Sequence, residues 1–147
     1  MLMPEISWRH NRERLLLPIT LLPGYSSDNP TDSIKVDGLL DTGATGLGIR
    51  GDVAQQLRLR PKGQRLVHTA NGEMMAPEYV VRVGFVIGDY TDPDFAPEQQ
   101  LPFVLEREFV CFGLQSGFAY AALIGMTILG WADLSLRKDG IATLSIG

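Results

Sequence analysis

The residue best placed to do chemistry in this chain is a carboxylate at the end of an apolar run. In Gly38-Leu39-Leu40-Asp41-Thr42-Gly43-Ala44-Thr45-Gly46, Asp41 follows a stretch suited to a buried strand and is followed at once by small, turn-permitting residues. A side chain is thereby presented at a strand end. Asp is seldom buried without partners, so one in such flanks needs hydrogen-bond donors or a functional reason to be there. Thr42 offers a hydroxyl to fix the loop, while Gly43, having no side chain, lets a substrate or a second backbone approach the carboxylate. The competing reading is a structural Asp that caps a turn.

Other reactive residue types lack the company they would need. His10 and His68 have no second His, Cys or carboxylate at ligand spacing, so they read as surface residues, and no metal or other cofactor is implied. Cys111 lies between Val110 and Phe112 with no nearby cation, as a buried inert thiol does. Ser116 lacks the glycine two residues before it that a nucleophile elbow requires. The glycines of residues 43–48 have the wrong spacing for a dinucleotide loop, and residues 47–50 read as strand, not helix.

The elements that must position Asp41 are mostly strands. Residues 15–22 form an apolar run closed by Pro23-Gly24, and residues 25–33 have loop composition. Residues 34–40 alternate and then turn continuously apolar, as a strand running from a wet edge into a core does. Apolar residues at 53, 54 and 57 after Asp52 predict one short helix, stopped before Pro61. Residues 64–70 and 74–87 are strand-like and flank Asn71-Gly72, whose tolerance of positive φ suits a tight hairpin turn. Residues 88–100 read as an acidic surface loop; residues 101–112, 119–124, 133–137 and 141–146 read as four more strands, with a helical turn at 126–129. The expected class is all-β with one or two short helices.

Length and composition set outer bounds. A chain of 147 residues suits one domain, read as a charged N-terminal lead-in over 1–14 and a domain over 15–147. The arginines of that lead-in, Arg9, Arg12 and Arg14, read as solvated. A net charge of −4 with scattered basic residues makes nucleic acid a poor partner. The longest apolar stretch, residues 118–132, is shorter than a membrane span and interrupted by Gly125 and Gly130, so no membrane association is expected. One cysteine excludes an internal disulfide, and residues 1–14 lack the apolar middle of a signal peptide, which together fit a cytoplasmic setting.

The segment Leu39-Leu40-Asp41-Thr42-Gly43-Ala44 resembles the signature of the retropepsin-like aspartic proteases, in which Asp-Thr/Ser-Gly-Ala follows two or three apolar residues. Leu123-Ile124-Gly125 is similar to the family's downstream apolar pair and glycine, which crosses behind the catalytic loop, and Met126, Ile128 and Leu129 resemble its short C-terminal helix. The Asn71-Gly72 hairpin lies where the family places a flap. The resemblance covers residues 15–146 and implies a closed acid-protease β-barrel, active as a homodimer on a peptide or protein substrate. It implies Asp41, Thr42 and Gly43 as catalytic residues, and Ala44, Thr45, Ala70, Asn71 and Gly72 as substrate-binding ones. Peptide hydrolysis by this route needs one carboxylate to take a proton from water and a second, protonated, to donate to the carbonyl oxygen. Only one Asp-Thr/Ser-Gly occurs, so the second Asp41 would come from a symmetry mate. An alternative within the same fold is a silent dimeric peptide-binding module. Thr45 and Gly46 stand where retroviral members often carry acidic residues, the loops at 23–33 and 88–100 are longer than a minimal member needs, and Ile141–Ile146 is a candidate for pairing across a dimer.

Overall fold

Buried and exposed side chains alternate along most of the chain, as they do on strands with one face on a core. The computed structural model describes residues 4–70 and 72–146. Within them lie twelve strands: β1 (Glu5–Arg9), β2 (Leu15–Pro23), β3 (Ile34–Leu40), β4 (Leu47–Arg50), β5 (Gly63–Thr69), β6 (Gly72–Phe85), β7 (Gly88–Asp89), β8 (Phe103–Val104), β9 (Phe109–Leu114), β10 (Ala122–Ile124), β11 (Ala132–Leu136) and β12 (Ile141–Ile146). The two α-helices are α1 (Gly51–Gln56) and α2 (Met126–Leu129). The protein is mostly β with two short helices, as its residue pattern predicts.

The strands form two sheets, one in the order β11-β12-β1-β7 and one in the order β2-β3-β10-β4-β9-β6-β5. Strand β6 also pairs with β2, so the ladder that leaves β2 through β3 returns to it. Pro18, which cannot donate to a ladder, lies ahead of the stretch from Thr20 to Pro23 that pairs with β6, where β2 has a partner on one side only. Strand β6 is long enough to serve two purposes. Its first half pairs with β5 in the hairpin, and its second half, where Val81, Val83 and Phe85 are fully buried, runs through the core.

Three local features depart from the simple pattern. Residues 101–112, which read as one strand, split into β8 and β9, because Glu106, Arg107 and Glu108 are exposed and turn the chain outward. The Glu108 carboxylate accepts a hydrogen bond from the Tyr25 amide at 2.9 Å, which ties that turn to the loop after β2. Residues 5–9, inside the stretch read as a lead-in, form β1, paired along its length with β12; Ile6 and Trp8 point into the core. Strand β12 is held by β1 on one edge and β11 on the other, so both its edges are used within one chain.

The long loop at 23–33 is organised by a buried cation. Arg82 is 9% exposed, and its guanidinium donates through Nε to the Pro23 carbonyl at 2.9 Å, donates to the Pro30 carbonyl through Nη2, and sits 4.4 Å from the Tyr25 ring centroid. A buried charge persists when its donors are satisfied in this way.

Because Ile6 is fully buried in the shared core, Ile6→Ala will cost about 2–5 kcal/mol of stability, the usual range for such a truncation. Urea unfolding followed by circular dichroism checks this; a cost below about 0.5 kcal/mol, the range of surface changes, would mean that β1 is not part of the folding unit.

Candidate active site

The segment that carries Asp41 is fixed by a strand that passes between its two arms. Strand β10 pairs parallel with β3, which leads into the loop, and antiparallel with β4, which leads out of it. Leu39 and Leu40 align with Leu123 and Ile124, and Leu47 with Ile124 from the other side. Asp41 continues this ladder, its amide donating to the Ile124 carbonyl at 2.9 Å. The apolar triplet before the aspartate thus exists to be enclosed, and the aspartate is the first residue past the enclosure.

Beyond β10 the chain turns into α2, whose first amides have no partner inside so short a helix. They donate to the Asp41 loop instead: Gly125 to the Gly46 carbonyl at 3.1 Å, Met126 to Ala44 at 2.8 Å and Thr127 to Thr45 at 2.8 Å. The Thr127 hydroxyl also donates to the Thr45 carbonyl at 2.7 Å. A side chain at Gly125 is impossible without displacement, since a Cβ there would lie 2.4 Å from the Gly46 oxygen and 2.7 Å from that of Ala44. The need for glycine after the apolar pair is therefore steric.

Within the loop, Asp41 is half-buried and Thr42, Gly43 and Thr45 are exposed. One Asp41 carboxylate oxygen accepts the Gly43 amide at 2.8 Å, and the Ala44 amide donates to the Asp41 carbonyl at 3.2 Å. A Cβ on Gly43 would sit 3.2 Å from that same oxygen. The structure brings Asp41, Thr42, Gly43, Ala44 and Thr45 together in this one turn. Among the described residues the Thr42 hydroxyl, expected to brace the loop, makes no hydrogen bond within its own chain; the bracing comes from Gly125, Met126 and Thr127. Thr127 was missed in the sequence, and its only signal was its place two residues after Gly125. No three His, Cys, Asp or Glu side chains among the described residues gather as metal ligands would.

The hairpin of β5 and β6 has its last pair at Thr69 and Gly72, and Gly72 takes φ +111°. The Thr69 hydroxyl donates to the Gly72 carbonyl at 2.7 Å. Ala70 and Gly72 lie at the exposed tip, and Asn71, named with them from the sequence, lies outside the described residues. The hairpin meets the Asp41 loop at its root: Arg65, on β5, places Nη1 3.4 Å from where a Gly46 Cβ would stand. His68, near the tip, is exposed and 3.4 Å from Glu73. Cys111 is fully buried, and that burial pushes its thiol up to about 12.

Two outcomes follow from this packing. Gly125→Ala will destabilise the protein by about 1–3 kcal/mol, the cost of overpacking, whereas Gly51→Ala, with open space around it, will change stability by less than about 0.5 kcal/mol; paired thermal melts test the contrast. Cys111 will resist iodoacetamide in the folded protein at pH 8 and react once urea unfolds it, as intact-mass spectrometry will show.

A family model described as aspartyl protease matches residues 31–100, a span that includes the Asp41 loop and the hairpin. The fold is similar to the crystal structure of a retropepsin-like aspartic protease from Rickettsia conorii, at 22% identity over 97% of this chain and 90% of that one, with a TM-score of 0.60. It also matches the solution structure of the Simian Foamy Virus (mac) protease at 14% identity over 80% of this chain and 93% of that one, with a TM-score of 0.44. A search of curated proteins gives no match. The matched aspartyl protease span contains Asp41-Thr42-Gly43, and the retropepsin-like fold extends over nearly the whole length of this chain.

Proposed function

We propose that the protein is an aspartic endopeptidase in which two copies of the chain each supply Asp41 to one site. The observation that carries this reading is the locked, half-buried carboxylate of Asp41, held in place through the backbone on both sides while its neighbours Thr42, Gly43 and Thr45 remain exposed. A turn-capping Asp needs no such scaffold.

Two Asp41 side chains brought together share one proton, since both cannot easily ionise at that distance. The ionised partner takes a proton from the attacking water, and the protonated partner donates to the carbonyl oxygen of the scissile peptide. Gly43 leaves room for the peptide backbone, Ala44 and Thr45 border it, and the tips at Ala70, Asn71 and Gly72 fold over it and exclude bulk water. Thr42, exposed and without a hydrogen-bond partner for its hydroxyl among the described residues, faces the partner copy.

Strand β12 has no free edge, so the partner meets other surfaces. Met126 (43% exposed) and Trp131 (71%) flank α2, which is bonded directly to the catalytic loop, and both bury apolar area if that face pairs. The single buried, reduced cysteine suits a cytoplasmic setting, and no described helix is long and apolar enough to cross a membrane.

Cleavage of a mixed peptide library between about pH 4 and 7, the range a shared carboxylate proton serves, will be detected by mass spectrometry, and Asp41→Asn will lower its rate by about a hundredfold or more. Sedimentation of the same sample will give twice the 16.2 kDa chain mass. A strict monomer at high concentration would sink the two-carboxylate reading; a dimer that cleaves nothing would leave a peptide-binding module.

A further inference from the structure

We infer that Arg65 reads an acidic side chain of the bound peptide, in a subsite bordered by Gly46 and Phe112; the inference rests on peptide occupying the Asp41 cleft. Gly46 ends the catalytic loop, and a side chain there would meet Phe112 Cε1 at 3.3 Å and Arg65 Nη1 at 3.4 Å. Because Gly46 has no side chain, the guanidinium and the aromatic edge close directly against the turn, which brings the partly exposed Arg65 up to the Asp41 loop.

Arg65 is already oriented. Its Nε donates to Glu78 Oε2 at 2.9 Å, and its guanidinium lies 5.8 Å from the Phe112 ring centroid. Only Nε is engaged, and among the described residues Nη1 and Nη2 have no hydrogen-bond acceptor. A planar fork held at one end, with its remaining N–H groups free, suits a carboxylate and loses little freedom on binding it.

Glu78 does not turn to the same side. Its side chain is 19% exposed against 37% for Arg65, and its second oxygen, Oε1, faces Gly63, where a Cβ would be 3.7 Å away. The anion of the pair is turned toward β5 and the cation toward the catalytic loop. The subsite is therefore positive on the cleft side although the chain carries a net charge of −4, so the preference is set by contact and not by the field of the whole protein.

The test uses octapeptides identical except for one position scanned through Asp, Asn and Lys, cleaved by the wild-type dimer, by Arg65→Met, and by Arg65→Glu combined with Glu78→Arg. The paired substitution keeps an ion pair and guards against loss of folding, which thermal melts will monitor. At one position near the scissile bond the wild type will prefer Asp over Asn by about tenfold, as a charge-assisted hydrogen bond allows. Arg65→Met will lose that preference, and the paired variant will prefer Lys. An unchanged profile in both variants, or no acidic preference at any position, would overturn the inference while leaving the protease reading intact. Binding of the same peptides to Asp41→Asn, followed by fluorescence anisotropy, separates the two ideas. A tenfold preference for Asp there that Arg65→Met abolishes supports the subsite even if the wild type cleaves nothing; equal binding of Asp and Asn peptides overturns it.

Discussion

The passage of β10 between β3 and β4 is the constraint on which the rest of the molecule depends. A strand of three residues, Ala122–Ile124, supplies the pairing surface for both arms of the loop that carries Asp41, and the amides just past it supply donors to the loop's carbonyls. Every backbone group that this irregular turn would otherwise leave unpaired is one whose loss would cost free energy in a half-buried setting. The geometry of the aspartate is thus determined by residues more than eighty positions away in the chain. The glycine at 125 is the point where sterics are least forgiving, because the helix amides can reach the loop only if nothing stands between them.

Around this crossing, two other parts of the fold have separate jobs. Strand β6 joins an exposed hairpin arm and a core strand in one element, exposed at Gly72 and Glu73 and wholly buried by Val81 and Val83. Arg82, in that buried half, reaches out to the carbonyls of Pro23 and Pro30, so the long loop after β2 is anchored to the same strand that ends in the hairpin.

Much of this was legible from residue order alone, and the parts that were not share a physical cause. The turn at Asp41 was readable because an apolar strand followed by a carboxylate and three small residues places that side chain at a strand end. The hairpin was readable from Asn71-Gly72, but its register was not: a turn centred on that dipeptide would pair Ala70 with Glu73, whereas Gly72 lies in β6 and pairs with Thr69. The observed register places Arg65 opposite Ala76 with Glu78 diagonal to it on the same face, whereas the turn read from the sequence would have set Arg65 directly opposite Glu78; either register puts the two charges within reach of each other. Strand β1 was hidden because Glu5, Arg9 and the charged residues after it outweigh the two core side chains, Ile6 and Trp8, in any window average. The break between β8 and β9 was hidden for the opposite reason: Leu101 and Phe103 look like core residues yet are 92% and 41% exposed, so apolar type misreported position. Bracing by Thr127 depends on a tertiary contact with Thr45 that no local pattern encodes.

The edge occupancy of β12 separates two events that many small dimers combine. Where a chain's terminal strands complete their sheet only in a neighbour, folding is tied by mass action to protomer concentration, and dilution unfolds what it dissociates. Here β1 and β11 complete that sheet internally, so a single subunit holds its own core. In a two-copy enzyme built from such subunits, dilution would silence activity by removing the second carboxylate while leaving a folded chain ready to reassociate, which makes concentration itself a reversible control on catalysis.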